Sequence, residues 1–287
     1  MPKRIPGHFW WRIKTIFRVA RSAYRRFTRD DGTAMAGYIA YSAFLSLFPF
    51  MIFMSTLAGV IIGPDNSQTV IDELFTLAPE HIAQTLEPVL KEVIGQSRGG
   101  LLTFSAVAAL WIASNAVEAI RIAFDRAYDV DDPRGFILRR SICIGFVFIA
   151  AIAFAVLGFI IILAPLAISL AREYLPFDIP FGLGVIRYIL GLLVFALFLL
   201  MLNRWLPSRA PRVRRVLPGI IVSTLLWLIG ATGFSIYLAF APSYTVTYGA
   251  FAGVIVTLLF FYITGAIVIF GAEVNAALLA MRNRGKI

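Results

Sequence analysis

Residues 249–280 read GAFAGVIVTLLFFYITGAIVIFGAEVNAALLA, and more than 20 of them pass before the first charge, Glu273. A surface helix of a soluble domain keeps one charged side, and this stretch has none over most of its length. At ~1.5 Å per residue, roughly 20 residues cross ~30 Å of hydrocarbon, so the segment is long enough to span a membrane. Working outward, runs with few or no charges recur at about 34–62, 101–124, 141–170, 184–202 and 216–240. Together they predict six transmembrane helices, the fourth only just long enough.

Composition agrees with that reading. The 287 residues are 60% hydrophobic and 15% charged, against about 25% charged in a soluble domain. So much apolar surface has no core to enter, and lipid is its natural solvent. The expected fold class is all-α, a polytopic membrane helix bundle, with no room for a sizeable soluble domain.

On a soluble protein a net charge of +10 would suggest nucleic acid or an acidic partner. The positions of the charges decide otherwise. Of 26 basic residues, 22 lie in the N-terminal segment, the second and fourth connections with their flanks, and the C-terminus. Four remain on the alternate side: Lys91, Arg98, Arg172 and Arg187. That asymmetry predicts both termini in the cytoplasm and an even number of spans. Topology accounts for the charge, so no nucleic-acid partner is expected. The first apolar run is too long for a cleavable signal and is read as a retained span.

Residues 1–30 form a basic cytoplasmic segment ahead of a membrane domain over 31–287. Within it, Phe9, Ile13, Phe17, Ala20, Tyr24 and Phe27 recur at spacings of three and four, with Arg12, Lys14, Arg18, Arg21, Arg25 and Arg29 between them. An aromatic side opposite a basic one predicts an amphipathic helix on anionic headgroups, making membrane lipids the first expected partner. The long external connection, about 63–100, predicts a second amphipathic helix. It starts near Pro79-Glu80 and aligns Ile82, Leu86, Val89, Leu90 and Val93. No internal repeat is evident.

Polar groups inside apolar helices are expensive, which makes them the candidate site. Asn115, Glu118, Arg121 and Asp125 recur at spacings of three and four in the second span, where Arg121 can pair with both carboxylates. Glu273 and Asn275 fall near the cytoplasmic end of the sixth span, Arg214 and Arg215 lead into the fifth, and Asp30 and Asp31 open the first. These residues predict one mixed-charge inner rim, serving as a substrate or gate site or as structural ion pairs that fix helix register. Pro49 and Pro165 are expected hinges, with Ser42 and Ser46 near enough to satisfy backbone groups that Pro49 frees.

Little points to catalysis. Asp125, Asp129, Asp131 and Asp132 share one short connection with no histidine, and read as a solvated helix end. His8 and His81 lack metal-ligand spacing, Cys143 lies alone in an apolar run, and no phosphate-binding glycine loop of the G-x-x-x-x-G-K-[ST] type occurs. No catalytic residues, metal or cofactor are therefore expected, and the chain is not read as an enzyme.

Several segments carry a family resemblance. They are Asp30 with residues 40–49 (AYSAFLSLFP), then Ala127-Tyr128-Asp129-Val130 with Arg134, then Leu217-Pro218-Gly219, and last Tyr248-Gly249 leading to residues 271–276 (GAEVNA). In this order, over nearly the whole chain, they resemble the YihY/BrkB family of bacterial inner-membrane proteins, historically labelled ribonuclease BN. Two positions depart from the pattern: Asp125 stands where Asn is expected, and Ala250 where Ser commonly follows Tyr-Gly. The resemblance implies a multi-pass protein of the bacterial inner membrane. Links of some members to lipid or lipopolysaccharide-precursor export imply a transporter or flippase-like protein for an amphipathic, anionic substrate. A non-transporting envelope scaffold is the alternative, with a homo-oligomer or an envelope protein as partner. The nuclease label fits the residues least well.

Overall fold

The computed structural model describes residues 8–62, 99–158, 182–209, 211–240 and 251–283. The expected hinge Pro165, the external helix after Pro79 and the Tyr248-Gly249 pair lie outside them. The described residues form seven helices: α1 His8–Arg29, α2 Gly32–Ile62, α3 Gly99–Ala127, α4 Phe136–Gly158, α5 Gly182–Trp205, α6 Val213–Phe240 and α7 Phe251–Asn283. The all-helical fold class is thus observed. Five of these, α2, α3, α4, α6 and α7, are long and apolar enough to cross a membrane. The expected fourth span corresponds to α5, of which the residues described with their side chains, Ile189–Trp205, form a shorter apolar stretch. Helix α4 starts at Phe136, before Arg139 and Arg140, which the sequence reading had assigned to a connection.

The apolar exterior follows from the composition. Ile137 is 80% exposed, Phe251 73% and Phe104 72%, and large apolar side chains left open in this way suit contact with lipid. Helix α2 continues through Pro49. The Ser46 hydroxyl donates to the Ala43 carbonyl at 2.7 Å, so it is not used on the Leu45 carbonyl that Pro49 leaves open.

Two compact units divide the chain. The first holds Met1–Thr33, Arg121–Trp227 and Ile267–Ile287; the second holds Ala34–Ile120 and Leu228–Ala266. In the second unit Gly265 lets α7 approach α2, since a Cβ there would sit 3.3 Å from Ile39, and Phe234 meets Phe260 with ring centroids 5.6 Å apart.

Among the described residues, the first unit contains every buried charged group, Arg121, Asp125 and Glu273, together with Asn203, Ser223 and Asn275. Helix α1 lays Val19 and Ala23 against Val274 and Ala277 of α7, and Phe27 meets Phe270 edge to face. The expected amphipathic helix is therefore docked along one edge, while Phe17 and Tyr24 on its apolar side remain exposed. Helices α6 and α7 touch at the backbone: a Cβ on Gly219 would fall 2.0 Å from the Gly271 carbonyl oxygen. Only small residues allow this approach.

Candidate functional site

The site begins where α3 ends. The Asp129 N–H donates to the Arg126 carbonyl at 3.0 Å and the Val130 N–H to the Asp125 carbonyl at 2.9 Å, with Asp129 left-handed at a φ of 56°.

 This is a Schellman closure, and aspartate is one of the few residues besides glycine that tolerates its left-handed position. The closure turns the chain back, so that the connection after α3 folds over the helix end.

Two linked polar networks hold that connection. In the first, Arg121 is 3% exposed and its Nη1 donates to Asp125 Oδ2 at 2.7 Å and to Asp132 Oδ2 at 2.5 Å. Arg134 donates to the other oxygen of Asp132 through Nε at 2.8 Å and reaches the Leu206 carbonyl at 3.1 Å. The Ser208 N–H and hydroxyl both donate to Asp125 Oδ1, at 2.8 and 3.0 Å. Two buried carboxylates thus tie the end of α3 to the segment after α5. Burial works against the Asp132 charge, but the hydrogen bonds and charge of Arg134, with Arg121, hold its carboxyl below the ordinary value of 3.8.

The second network joins four helices through neutral groups. Pro218 has no N–H and crowds the carbonyl four residues back, which loosens the start of α6. The next N–H, that of Gly219, donates to Asn275 Oδ1 at 2.7 Å. Asn275 Nδ2 faces the Tyr128 hydroxyl and Asn203 Oδ1, each at 3.5 Å, and Tyr128 donates to Asn203 at 2.9 Å. Burial pushes the Tyr128 phenol well up, so it serves as a neutral donor.

The joint between α1 and α2 sits beside these networks. Arg26 donates to the Ala127 carbonyl at 3.2 Å, a cation at the negative end of α3. Arg29 grips Asp30 through two bonds of 2.6 and 2.9 Å, and that bond to Asp30 raises the guanidinium's proton affinity. A cleft of about 490 Å³ opens here, walled by Arg29, Arg121, Arg126 and Arg139 with the aspartates of the α3 connection. The Nε of Arg139 is buried without a hydrogen-bond partner among the described residues.

The structure brings Arg121 and Asp125 together and joins Asn275 to the same connection through Tyr128. Glu273 is buried close by but is hydrogen-bonded into neither network. Arg214 and Arg215 are exposed on the first turn of α6, away from the buried groups. Asn115 and Glu118 are half-buried and belong to the second unit. The aspartates do not form a solvated helix end, as their spacing had suggested. Asp129 and Asp131 are exposed, but Asp125 and Asp132 are enclosed by the arginines. Sequence reasoning missed Asp132 as a site residue, together with Arg134, Asn203, Ser208 and Arg139. One available signal was the Asp132-Pro133-Arg134 turn, where the Arg134 N–H donates back to Asp132 at 3.0 Å.

Long apolar helices with a lipid-suited exterior, enclosing a buried knot of arginine and aspartate, define a multi-pass α-helical membrane protein. Residues 23–286 match the virulence factor BrkB family, and the chain belongs to that family. It is 32% identical to the putative ribonuclease-like protein YfkH of Bacillus subtilis, over 90% of this chain and 94% of that one. It is also 26% identical to the UPF0761 membrane protein PSHAa0171 of Pseudoalteromonas translucida, over 87% of this chain and 82% of that one. No solved structure matches it.

Proposed function

We propose that this chain is a transporter or flippase-like protein of the bacterial inner membrane that handles an amphipathic, anionic, lipid-type substrate. In this reading it has six spans, α5 being the fourth, and both termini are cytoplasmic, so the cleft receives headgroups from the inner leaflet. The observation that carries the reading is the cleft itself: about 490 Å³, walled by four arginines and five aspartates, of which Asp125 and Asp132 are already paired with Arg121 and Arg134. A phosphate oxygen is a good acceptor for the guanidinium groups of the wall, which suit it in shape and charge. The lipid-suited exterior gives acyl chains a place while the headgroup sits in the cleft.

A nuclease reading meets a chemical obstacle. Metal-assisted phosphodiester cleavage needs carboxylates open to a cation, and Asp125 and Asp132 are already neutralised by Arg121 and Arg134.

The test is a flipping assay in proteoliposomes holding a headgroup-labelled anionic phospholipid, with an impermeant quencher added outside. Wild-type protein should expose label that protein-free vesicles keep protected. Arg139→Gln combined with Arg126→Gln should slow exposure about tenfold, the equivalent of losing roughly 1.4 kcal/mol of charge-assisted contact. Folded wild-type protein that protects as much label as empty vesicles would overturn the reading.

A further inference from the structure

Glu273 is 1% exposed, and neither of its carboxylate oxygens has a hydrogen-bond partner among the described residues. Its neighbours on α7, Ala272, Val274 and Ala276, are buried and apolar. The charged groups that act on it come from α1 and the joint after it: Asp30, Arg26 and Arg29. From the end of α3 it faces the Tyr128 phenol. The nearby residues of α5 and α6, Asn203, Gly219 and Ser223, carry no titratable group. Both arginines are engaged elsewhere, Arg26 on the Ala127 carbonyl and Arg29 on Asp30.

A carboxylate in this position has lost its water and gained no donor from the arginines, and the Asp30 carboxyl approaches it, opposing its charge unless one of the two holds a proton. A charge so placed neutralises or finds a partner. A metal cation would need several oxygen ligands and would meet the field of two arginines, whereas a proton needs one oxygen. The end of α1 and the joint that carries Asp30 are tied to the end of α3 by long contacts of 3.2 to 3.4 Å. Asp31 is left-handed at φ 58°, and the pair linking it to Arg126 is long, at 3.3 Å, and largely exposed.

We propose that Glu273 is a proton-binding site whose occupancy is coupled to the α1–α2 joint. With the joint closed, the carboxyl keeps its proton. When the joint opens, the O–H bond breaks, its electron pair stays on the carboxylate, the proton passes to entering water, and Arg26 or Arg29 pairs with the anion. The use of this site, coupling export to the proton gradient, rests on the transport reading; the site itself does not.

The experiment is an infrared pH titration of the full chain in liposomes without substrate, following the carbonyl stretch of protonated carboxylic acid. Maleimide labelling of Thr28→Cys, an exposed position beside the joint, is followed in parallel; the native Cys143 is fully buried and stays silent. Above about pH 6, where exposed carboxyls are already ionised, the wild type should still show a protonated-carboxyl band and lose it as pH rises; labelling, taken at each pH relative to a small free thiol so that the growing thiolate fraction cancels, should accelerate with the same midpoint. Glu273→Gln should lose both changes, and Glu273→Asp should retain a titrating band, which separates a proton site from a folding defect. A band above about pH 6 that persists in Glu273→Gln, one that sodium abolishes at fixed pH, or relative labelling indifferent to pH would overturn the proposal. A protein that titrates as expected but moves no lipid overturns the transport reading and leaves the proton site standing.

Discussion

Arg121 holds two buried carboxylates at once, and removing it exposes what that arrangement costs. An Arg121→Gln substitution leaves Asp125 and Asp132 enclosed with less compensation, and breaking a buried pair in this way costs about 3–5 kcal/mol. Thermal unfolding of the purified chain should show a large loss of stability, and an unchanged midpoint would mean that the pairs contribute nothing. Asp132 adds a pH signature. Its folded-state affinity for a proton lies below the ordinary value of 3.8, so the unfolded chain takes up the proton first as pH falls. Its contribution is therefore present above about pH 4 and is lost as pH falls through the folded value. Asp132→Asn should flatten that acid limb of the stability curve, measured on the same protein. Arg121 and Asp125 were legible as a pair because they stand four apart on one helix. Asp132 was not: seven residues beyond Asp125, it is brought back by the left-handed turn at Asp129, which spacing does not reveal.

Helices α6 and α7 are fastened by the absence of side chains as much as by their presence. Gly219 and Gly271 let the two backbones meet, and the approach allows the Gly219 N–H to reach Asn275. A methyl group at Gly219 has nowhere to go, since its nearest neighbour would be a backbone oxygen at 2.0 Å. Gly219→Ala should cost at least the 1–3 kcal/mol typical of overpacking, read as a fall in membrane abundance and melting temperature. A variant as stable as the wild type would show that the helices can separate without penalty. Most helices were legible from charge-free runs, because hydrocarbon imposes their length. Their ends were less so: α4 begins before Arg139 and Arg140, whose charges resemble a connection although a helix end at a membrane surface accommodates them. Helix α1 was recognised by its two-sided pattern, but that pattern does not say that Val19, Ala23 and Phe27 dock on α7 while Phe17 and Tyr24 stay exposed.

Across the molecule, an asymmetric distribution of basic residues accompanies a buried charged knot and a cleft walled by arginines and aspartates. Those features make a headgroup site only if the cleft opens on the cytoplasmic face, where 22 of the 26 basic residues are expected to lie. In the six-span reading the chain changes sides at each span, so its connections report the orientation directly. Reporter domains fused after Arg134 and Arg209, which flank the knot, and after Lys286, should be cytoplasmic; fusions after Gly95 and Ser243 should be external. An external reporter after Arg134 or Lys286 would contradict the account, because it would turn the cleft away from the inner leaflet and break the six-span alternation.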